Sequence, residues 1–306
     1  MNPLRSLLML LLFPGLLYAL PMGWLMLGLE RKLRARFQSR IGPPLSQPFF
    51  DFVKLASKMP VRRAASDVAL LTALPVIAVG SMSGALALLP VFAGETGLAG
   101  DLVLLFGLLE VPPLCMILAG YASRSIYGEI GATREAIVGI ASNVPFLAAL
   151  LAMATAAGSL HLSNIAMGTP WLVRLPAMLA ILFCIPVKLR LNPFSLANAE
   201  QELLSGPLAE FGGRRLALWE LAHSLECVAL TGLAATLAMP LRSSNWLFDG
   251  IGFALLSVAV IALLTVIAAA TARLKLMQAT RLLWRAGALM SAVALAAALL
   301  AYRGGH

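Results

Sequence analysis

Eight times along its 306 residues the chain runs apolar for long enough to cross a lipid bilayer as an α-helix. These runs lie at about residues 6 to 29, 67 to 93, 101 to 121, 136 to 158, 171 to 189, 216 to 240, 248 to 272 and 284 to 302. In hydrocarbon every backbone donor and acceptor must be satisfied within the segment, which leaves the helix as the default for such runs. The expectation is an all-α integral membrane protein with about eight transmembrane helices, a single membrane domain over residues 1–306. Charged residues are only 12% of the chain, about half the share in a soluble globule. A net charge of +9 would point to nucleic acid only on a folded basic soluble domain. No such domain is expected, so the partner is the lipid bilayer and no nucleic acid. The run at 6 to 29 exceeds a signal-peptide core and lacks a small-x-small cleavage site, so it reads as the first span.

Lys and Arg in short loops are retained on the cytoplasmic side. With both termini outside, nine basic residues fall in the first inner loop, two in the second, and four each in the third and fourth. Of the 23 basic residues, only Arg5, Arg174, Arg242 and Arg303 remain outside. The bias supports an even number of spans and sets the sidedness, with both termini outside. Two inner loops, 30–66 and 190–215, are long and patterned, and are expected to form a cytoplasmic docking face. Within the first, Gln47 to Lys58 alternates Phe49, Phe50, Phe52, Val53 and Leu55 with polar residues after Pro48. Two readings stand for it: an interfacial amphipathic helix, or a short helix packed on the protein's own inner surface.

No nucleophile elbow, phosphate loop or dinucleotide-binding glycine pattern is present, and His161, His223 and His306 are not spaced as metal ligands. Cys115, Cys184 and Cys227 lie far apart in apolar stretches and read as small core residues. The chain alone is not expected to catalyse a reaction, and no metal site is expected. Its chemistry should lie in carboxylates at membrane depth, where an unpaired charge is costly. Glu110 precedes Val111-Pro112-Pro113, a helix break that suggests a hydrated pocket; the alternative is a kink with Glu110 hydrogen-bonded to the freed backbone groups. Glu220, His223 and Glu226 follow at i, i+3 and i+6, with the first two on one face. A histidine between carboxylates suits a proton relay, since imidazole titrates near physiological pH. For Glu220 and His223 an interfacial helix end paired with Arg214 or Arg215 stands equally; Glu226 is expected to be buried.

Glu30-Arg31-Lys32 with Ala35-Arg36, Gln38, Arg40 and Gly42-Pro43, then Gly131-Ala132-Thr133-Arg134-Glu135-Ala136, then Asn192-Pro193-Phe194-Ser195-Leu196-Ala197-Asn198-Ala199-Glu200-Gln201-Glu202-Leu203 with Gly206-Pro207 and Glu210-Phe211 form a specific combination. It resembles the subunit 1 (H-type) superfamily of NADH:quinone oxidoreductase, from the first span to the sixth. Arg134-Glu135-Ala136 and Glu200-Gln201-Glu202-Leu203 with Gly206-Pro207 look closest to formate hydrogenlyase subunit 4, the membrane anchor of energy-converting NiFe hydrogenases. Three positions depart from the family pattern: Asn143, Ser195 and Asn198 stand where acidic residues are usual.

The resemblance implies a subunit on which peripheral hydrogenase-like small and large subunits dock, and which links their electron transfer to proton or sodium movement with antiporter-like membrane subunits. It implies no cofactor held by this chain, with 4Fe-4S and NiFe centres in partner subunits. Candidate ion-path residues are Glu110, Glu135, Glu200, Glu202, Glu210, Glu220, His223 and Glu226. Candidate charge partners are Arg31, Arg36, Arg40, Arg134, Lys188 and Arg190, with the Arg31–Arg40 run expected to meet the Glu200–Glu210 loop. Alternatives are the H-type subunit of a quinone-reducing complex, a membrane scaffold without its own ion path, and a free-standing transporter. Against the transporter stands the lack of a visible internal repeat.

Overall fold

The structure, a computed structural model, describes residues 16–60, 67–91, 101–197, 202, 206–238 and 246–304. Asp67 opens α3 (Val68–Ala87) by accepting from Leu70 N, and Asp101 opens α4 (Leu102–Ala122) by accepting from Val103 N. Before them lie α1 (Leu16–Phe37) and a short helix, α2 (Gln47–Ser57). Then follow α5 (Ile126–Ala157), the short α6 (Leu162–Gly168) and α7 (Trp171–Lys188). A 3-10 turn at Gly206–Glu210 leads to α8 (Arg214–Ala238), α9 (Trp246–Ala270) and α10 (Leu276–Leu282). α10 runs through one π-helical turn, Leu283–Gly287, into α11 (Ala288–Gly304). The protein is an all-α integral membrane protein: among the described residues seven helices are long and apolar enough to cross a bilayer. α1 covers the described part of the expected first span; residues 6–15 lie outside the described residues.

α8 is the hub. Some 83% of its apolar window is buried, against 28% for the window over Leu276–Ala301 at the rim. It packs on α1, α3, α7 and α9, while α5 packs on α4, α7 and α11. Close approach depends on small residues: a Cβ at Gly23 of α1 would stand 2.6 Å from the Ser224 carbonyl oxygen of α8. Cys184 and Cys227 sit in this main core and Cys115 in a smaller cluster beside it, all three as free thiols.

The chief departure from the expected boundaries is α5, which begins at Ile126 instead of about 136. Arg134 is thus on a helix and not in a loop. The cause is packing: Arg124 takes a left-handed turn at φ 49°, which sends α5 straight back along α4. The two helices touch at Gly120 and Gly128, where a Cβ on Gly120 would lie 2.6 Å from the Gly128 carbonyl oxygen. Thirty-two residues make a rod of about 48 Å, so its first turns extend past the hydrocarbon into the polar end of the bundle.

Candidate functional site

Two of the sequence motifs meet because of a glycine. A side chain at Gly131 of α5 would run into Pro207 Cδ at 2.6 Å and Gly206 Cα at 3.1 Å, and Gly206 itself turns with φ +57° against the Ala197 carbonyl. The polar loop therefore lies directly on α5. There Glu202 accepts from Arg134 Nη1 at 2.7 Å and from Arg273 Nη2 at 2.6 Å. The Arg134 hydrogen bond, followed by the Arg273 charge, holds the exposed Glu202 carboxyl below the usual carboxylate range. Leu274 N donates to the Pro193 carbonyl at 3.0 Å, tying the same loop to the start of α10. Glu200 lies outside the described residues.

Beneath this loop the structure places two buried charge clusters side by side. In the first, the Lys188 amine at the end of α7 pairs with Glu110 of α4 and donates to Asn143 Oδ1 of α5 at 2.8 Å, while Asn143 Nδ2 donates to Glu110 at 2.6 Å. Lys188 is 5% exposed and stands 4.8 Å from the Phe146 ring centroid and 5.8 Å from that of Phe106, so ring faces replace part of its hydration. Asn143, one of the positions where the family usually has an acid, donates to one partner and accepts from the other without adding charge. A carboxylate there would leave the cluster one negative charge in excess of Lys188. Each of the three residues is two positions from a proline, Pro112, Pro145 and Pro186.

In the second cluster Arg190 is shared. Its Nε lies 3.1 Å from Glu135 Oε1 and its Nη1 3.2 Å from Glu226 Oε2, with His223 Nδ1 3.4 Å from the same Glu226 oxygen. Burial opposes the Arg190 charge, but Glu226 and Glu135 outweigh it and hold the guanidinium above its ordinary range. Together the clusters bring three carboxylates against two cations, Lys188 and Arg190. His223 stands beside the Glu226 end of this array, on the cavity side.

A cavity of 540 Å3 opens on the second cluster, lined by Glu30, Arg34, Arg190, Glu220, His223 and Glu226 among others. Trp219 Nε1 and Glu226 Oε1 on its wall are buried without a protein partner among the described residues, as befits a cavity with room for water. On the other side of Glu135 a cavity of about 20 Å3 touches Glu110, Asn143 and Lys188 as well. That is the scale of one water molecule, and it links the two clusters.

The structure thus brings together Glu110, Glu135, Glu226, His223, Lys188 and Arg190, and places Glu220 on the large cavity. Glu210 stands in the 3-10 turn. Arg31 Nη1 pairs with Asp51 of α2 at 2.9 Å, and Gln47 donates to the other oxygen of the same carboxylate at 2.9 Å, because α2 folds back along α1; Arg31 also lines the large cavity with Leu208 and Ala209 of the 3-10 turn. Trp24 of α1 packs edge-on against Phe49, with ring centroids 5.1 Å apart, and against Phe52 at 5.4 Å. Phe50 and Val53 stay exposed, so α2 joins both expected readings, one face on the protein and one outward. Arg36 is exposed at the end of α1, and Arg40 bonds to Gln38. Sequence reasoning missed Arg273 and Asp51, whose partners lie 71 and 20 residues away with no local pattern to mark them. Among the described residues no three His, Cys, Asp or Glu side chains converge as metal ligands.

The comparisons with known proteins follow the same lines. The chain is 33% identical over 222 residues to hydrogenase-4 component C of Escherichia coli (strain K12), covering 70% of each protein. It is 34% identical over 211 residues to formate hydrogenlyase subunit 4 of the same strain, covering 66% of this chain and 68% of that one. Its fold matches a chain in the structure of the membrane-bound sulfane sulfur reductase, an archaeal respiratory membrane complex, with a TM-score of 0.86, 27% identity and coverage of 96% and 98%. With the family model described as NADH dehydrogenase matching residues 8–299, the chain belongs to the NADH dehydrogenase subunit 1 family.

Proposed function

We propose that this protein is the membrane-anchor and coupling subunit of a multi-subunit, energy-converting NiFe hydrogenase of the formate hydrogenlyase type. The observation that carries the reading is the pair of linked charge clusters, which joins the large cavity at Glu226 to Glu110 of α4. Protons enter at the 540 Å3 cavity, where His223 stands 3.4 Å from Glu226 as a relay. Arg190 stays charged and holds Glu226 and Glu135 in register. The water-sized cavity then connects Glu135 to Glu110 and Lys188. Electron transfer belongs to 4Fe-4S and NiFe centres in the peripheral hydrogenase-like subunits, which dock on the 30–66 and 190–215 loops; Glu200, Glu202 and Glu210 form their acidic face, and Arg31, Arg36, Arg40 and Arg134 its basic rim. Antiporter-like subunits receive the ions within the membrane. Both termini face outward, since that orientation keeps the basic loops inside.

A second reading, the H-type subunit of a quinone-reducing complex, draws on the same cavity beside α1. Its lining is mixed, with Leu27, Met116, Leu208, Phe211 and Trp219 beside the ionisable residues, which suits a quinone as well as water. The deciding measurement is proton uptake into inverted vesicles driven by hydrogenase turnover, comparing the parent with Glu226→Gln and Glu110→Gln. Loss of uptake with electron transfer retained is expected. Normal uptake in both and in the double variant would leave the clusters as structural polar groups, and purification of the chain without hydrogenase-like partners would end the hydrogenase reading.

A further inference from the structure

Away from the charge clusters, a groove of 480 Å3 lies between α5 and the α10–α11 helix. Arg281 and Arg285 line it with Thr280 and Trp284 on one side, and Ile137 and Ile140 form the other. The spacing 281, 284, 285 puts the two guanidinium groups and the indole on one face. The π turn over Leu283–Gly287 adds a residue to that turn and widens it, a distortion often found at functional sites. Below it the helices close again, since a Cβ at Gly287 would stand 3.0 Å from Pro145 Cγ. Neither arginine has a carboxylate partner among the described residues, although every carboxylate in the two clusters nearby has a cation beside it.

The depth of the groove can be reckoned from length. The apolar window over Leu276–Ala301 has 26 residues, about 39 Å of helix against a hydrocarbon core of about 30 Å. Residues 288–301 are almost wholly apolar, whereas Gln278, Thr280, Arg281 and Arg285 crowd the other end, so the surplus of about six residues lies there. Arg281 then sits at the headgroup boundary and Arg285 one turn deeper, within reach of the interface by snorkelling. Trp284, 50% exposed, takes the interfacial position that indoles favour. Ile140, 66% exposed, offers an apolar wall at the depth of the first acyl methylenes.

We propose that this groove binds an anionic phospholipid, its phosphodiester bridged by Arg281 and Arg285 and an acyl chain laid on Ile137 and Ile140. Two unpaired cations on a lipid-facing apolar groove are complementary to a ligand that carries one phosphate and two hydrocarbon tails. A basic pocket between helices near the polar end of a bundle is a general form of such recognition. The site stands independently of the coupling role.

The test uses the assembled complex in nanodiscs of phosphatidylcholine with a minority of spin-labelled phosphatidylglycerol. The parent should immobilise a fraction of the label that unlabelled phosphatidylglycerol displaces and phosphatidylcholine does not. Each basic residue near the surface raises affinity for an anionic lipid about fivefold, so R281Q/R285Q should lower it roughly 25-fold, while R281K/R285K keeps most of it. If the glutamine variant does not assemble, brominated lipids decide: the fluorescence lost in Trp284→Phe should be quenched more by brominated phosphatidylglycerol than by brominated phosphatidylcholine. Equal quenching, or equal label binding in the variants, would overturn the proposal. So would displacement by inorganic phosphate, which would mark a free-anion site, or a cross-link from residue 281 to an acidic segment of a partner subunit in place of lipid.

Discussion

Replacing Lys188 by Met tests whether the buried clusters are held by charge pairing or by shape. Met matches the lysine stem in length and keeps its place between Phe106 and Phe146, so little packing is lost. What is lost is the cation facing Glu110, and Lys188 is 5% exposed, so water cannot replace it. Breaking a buried pair by removing one partner costs about 3–5 kcal/mol, whereas removing both with volume kept is often near neutral. Lys188→Met should therefore shift the unfolding equilibrium by two to nearly four decades at about 1.4 kcal/mol per decade. Lys188→Met/Glu110→Gln should recover at least about 2 kcal/mol of that, because the neutral amide that replaces the Glu110 carboxylate retains the hydrogen bond with Asn143. The assay is reversible SDS unfolding in mixed micelles on the parent, both single variants and the double, read as a coupling energy. A lysine variant no less stable than the double variant would refute pairing as the source of cohesion.

Gly131→Ala should displace the Gly206–Glu210 turn, since the added Cβ meets Pro207 Cδ at 2.6 Å; a loss of about 1–3 kcal/mol is expected, checked by thermal stability and by co-purification of partner subunits. The Glu202 carboxyl is held below its usual range by Arg134 and Arg273, so its tie is complete above the ordinary carboxylate range and is lost as pH falls through the lowered folded value. Protease sensitivity of the 190–215 loop should rise on acidification in the parent and be raised already at neutral pH in Glu202→Gln; a pH-independent parent would refute this. A reporter fused at Gly304 should score as external, and a cytoplasmic score would reverse the orientation.

Much of this was legible because hydropathy sets helix existence directly: six of the eight expected spans coincide with described helices within a few residues, while α5 starts earlier than expected and α1 runs on to Phe37. Glu110 was marked by its prolines and Glu226 by its depth, signals that act within one or two turns. Their partners were harder. Lys188 lies 78 residues from Glu110 and Arg190 36 from Glu226, and nothing local says which helices will be neighbours. The start of α5 was missed because Gly128, Glu129, Thr133 and Arg134 dilute its hydropathy, while the glycine contact with α4 that starts the helix is a tertiary fact. The pairing of Arg31 with Asp51 escaped notice for the same reason: charge complementarity alone did not reveal that α2 would fold back along α1.

The prolines flanking Glu110, Asn143 and Lys188 have a mechanical meaning. A proline leaves the carbonyl four residues before it without its helical donor, so the carbonyls of Leu108, Ala141 and Leu182 mark the places where α4, α5 and α7 resist bending least. All three joints surround one amine. On α5, the arm from Asn143 back to Ile126 is about 25 Å long, and a rotation of about 5° at the joint carries its tip by about 2 Å. That arm bears Arg134, and with it the contact to Glu202. The Lys188 cluster and the polar loop are therefore joined by one stretch of helix, from Asn143 back to Arg134, about 14 Å long, which leaves the joint where the proline falls.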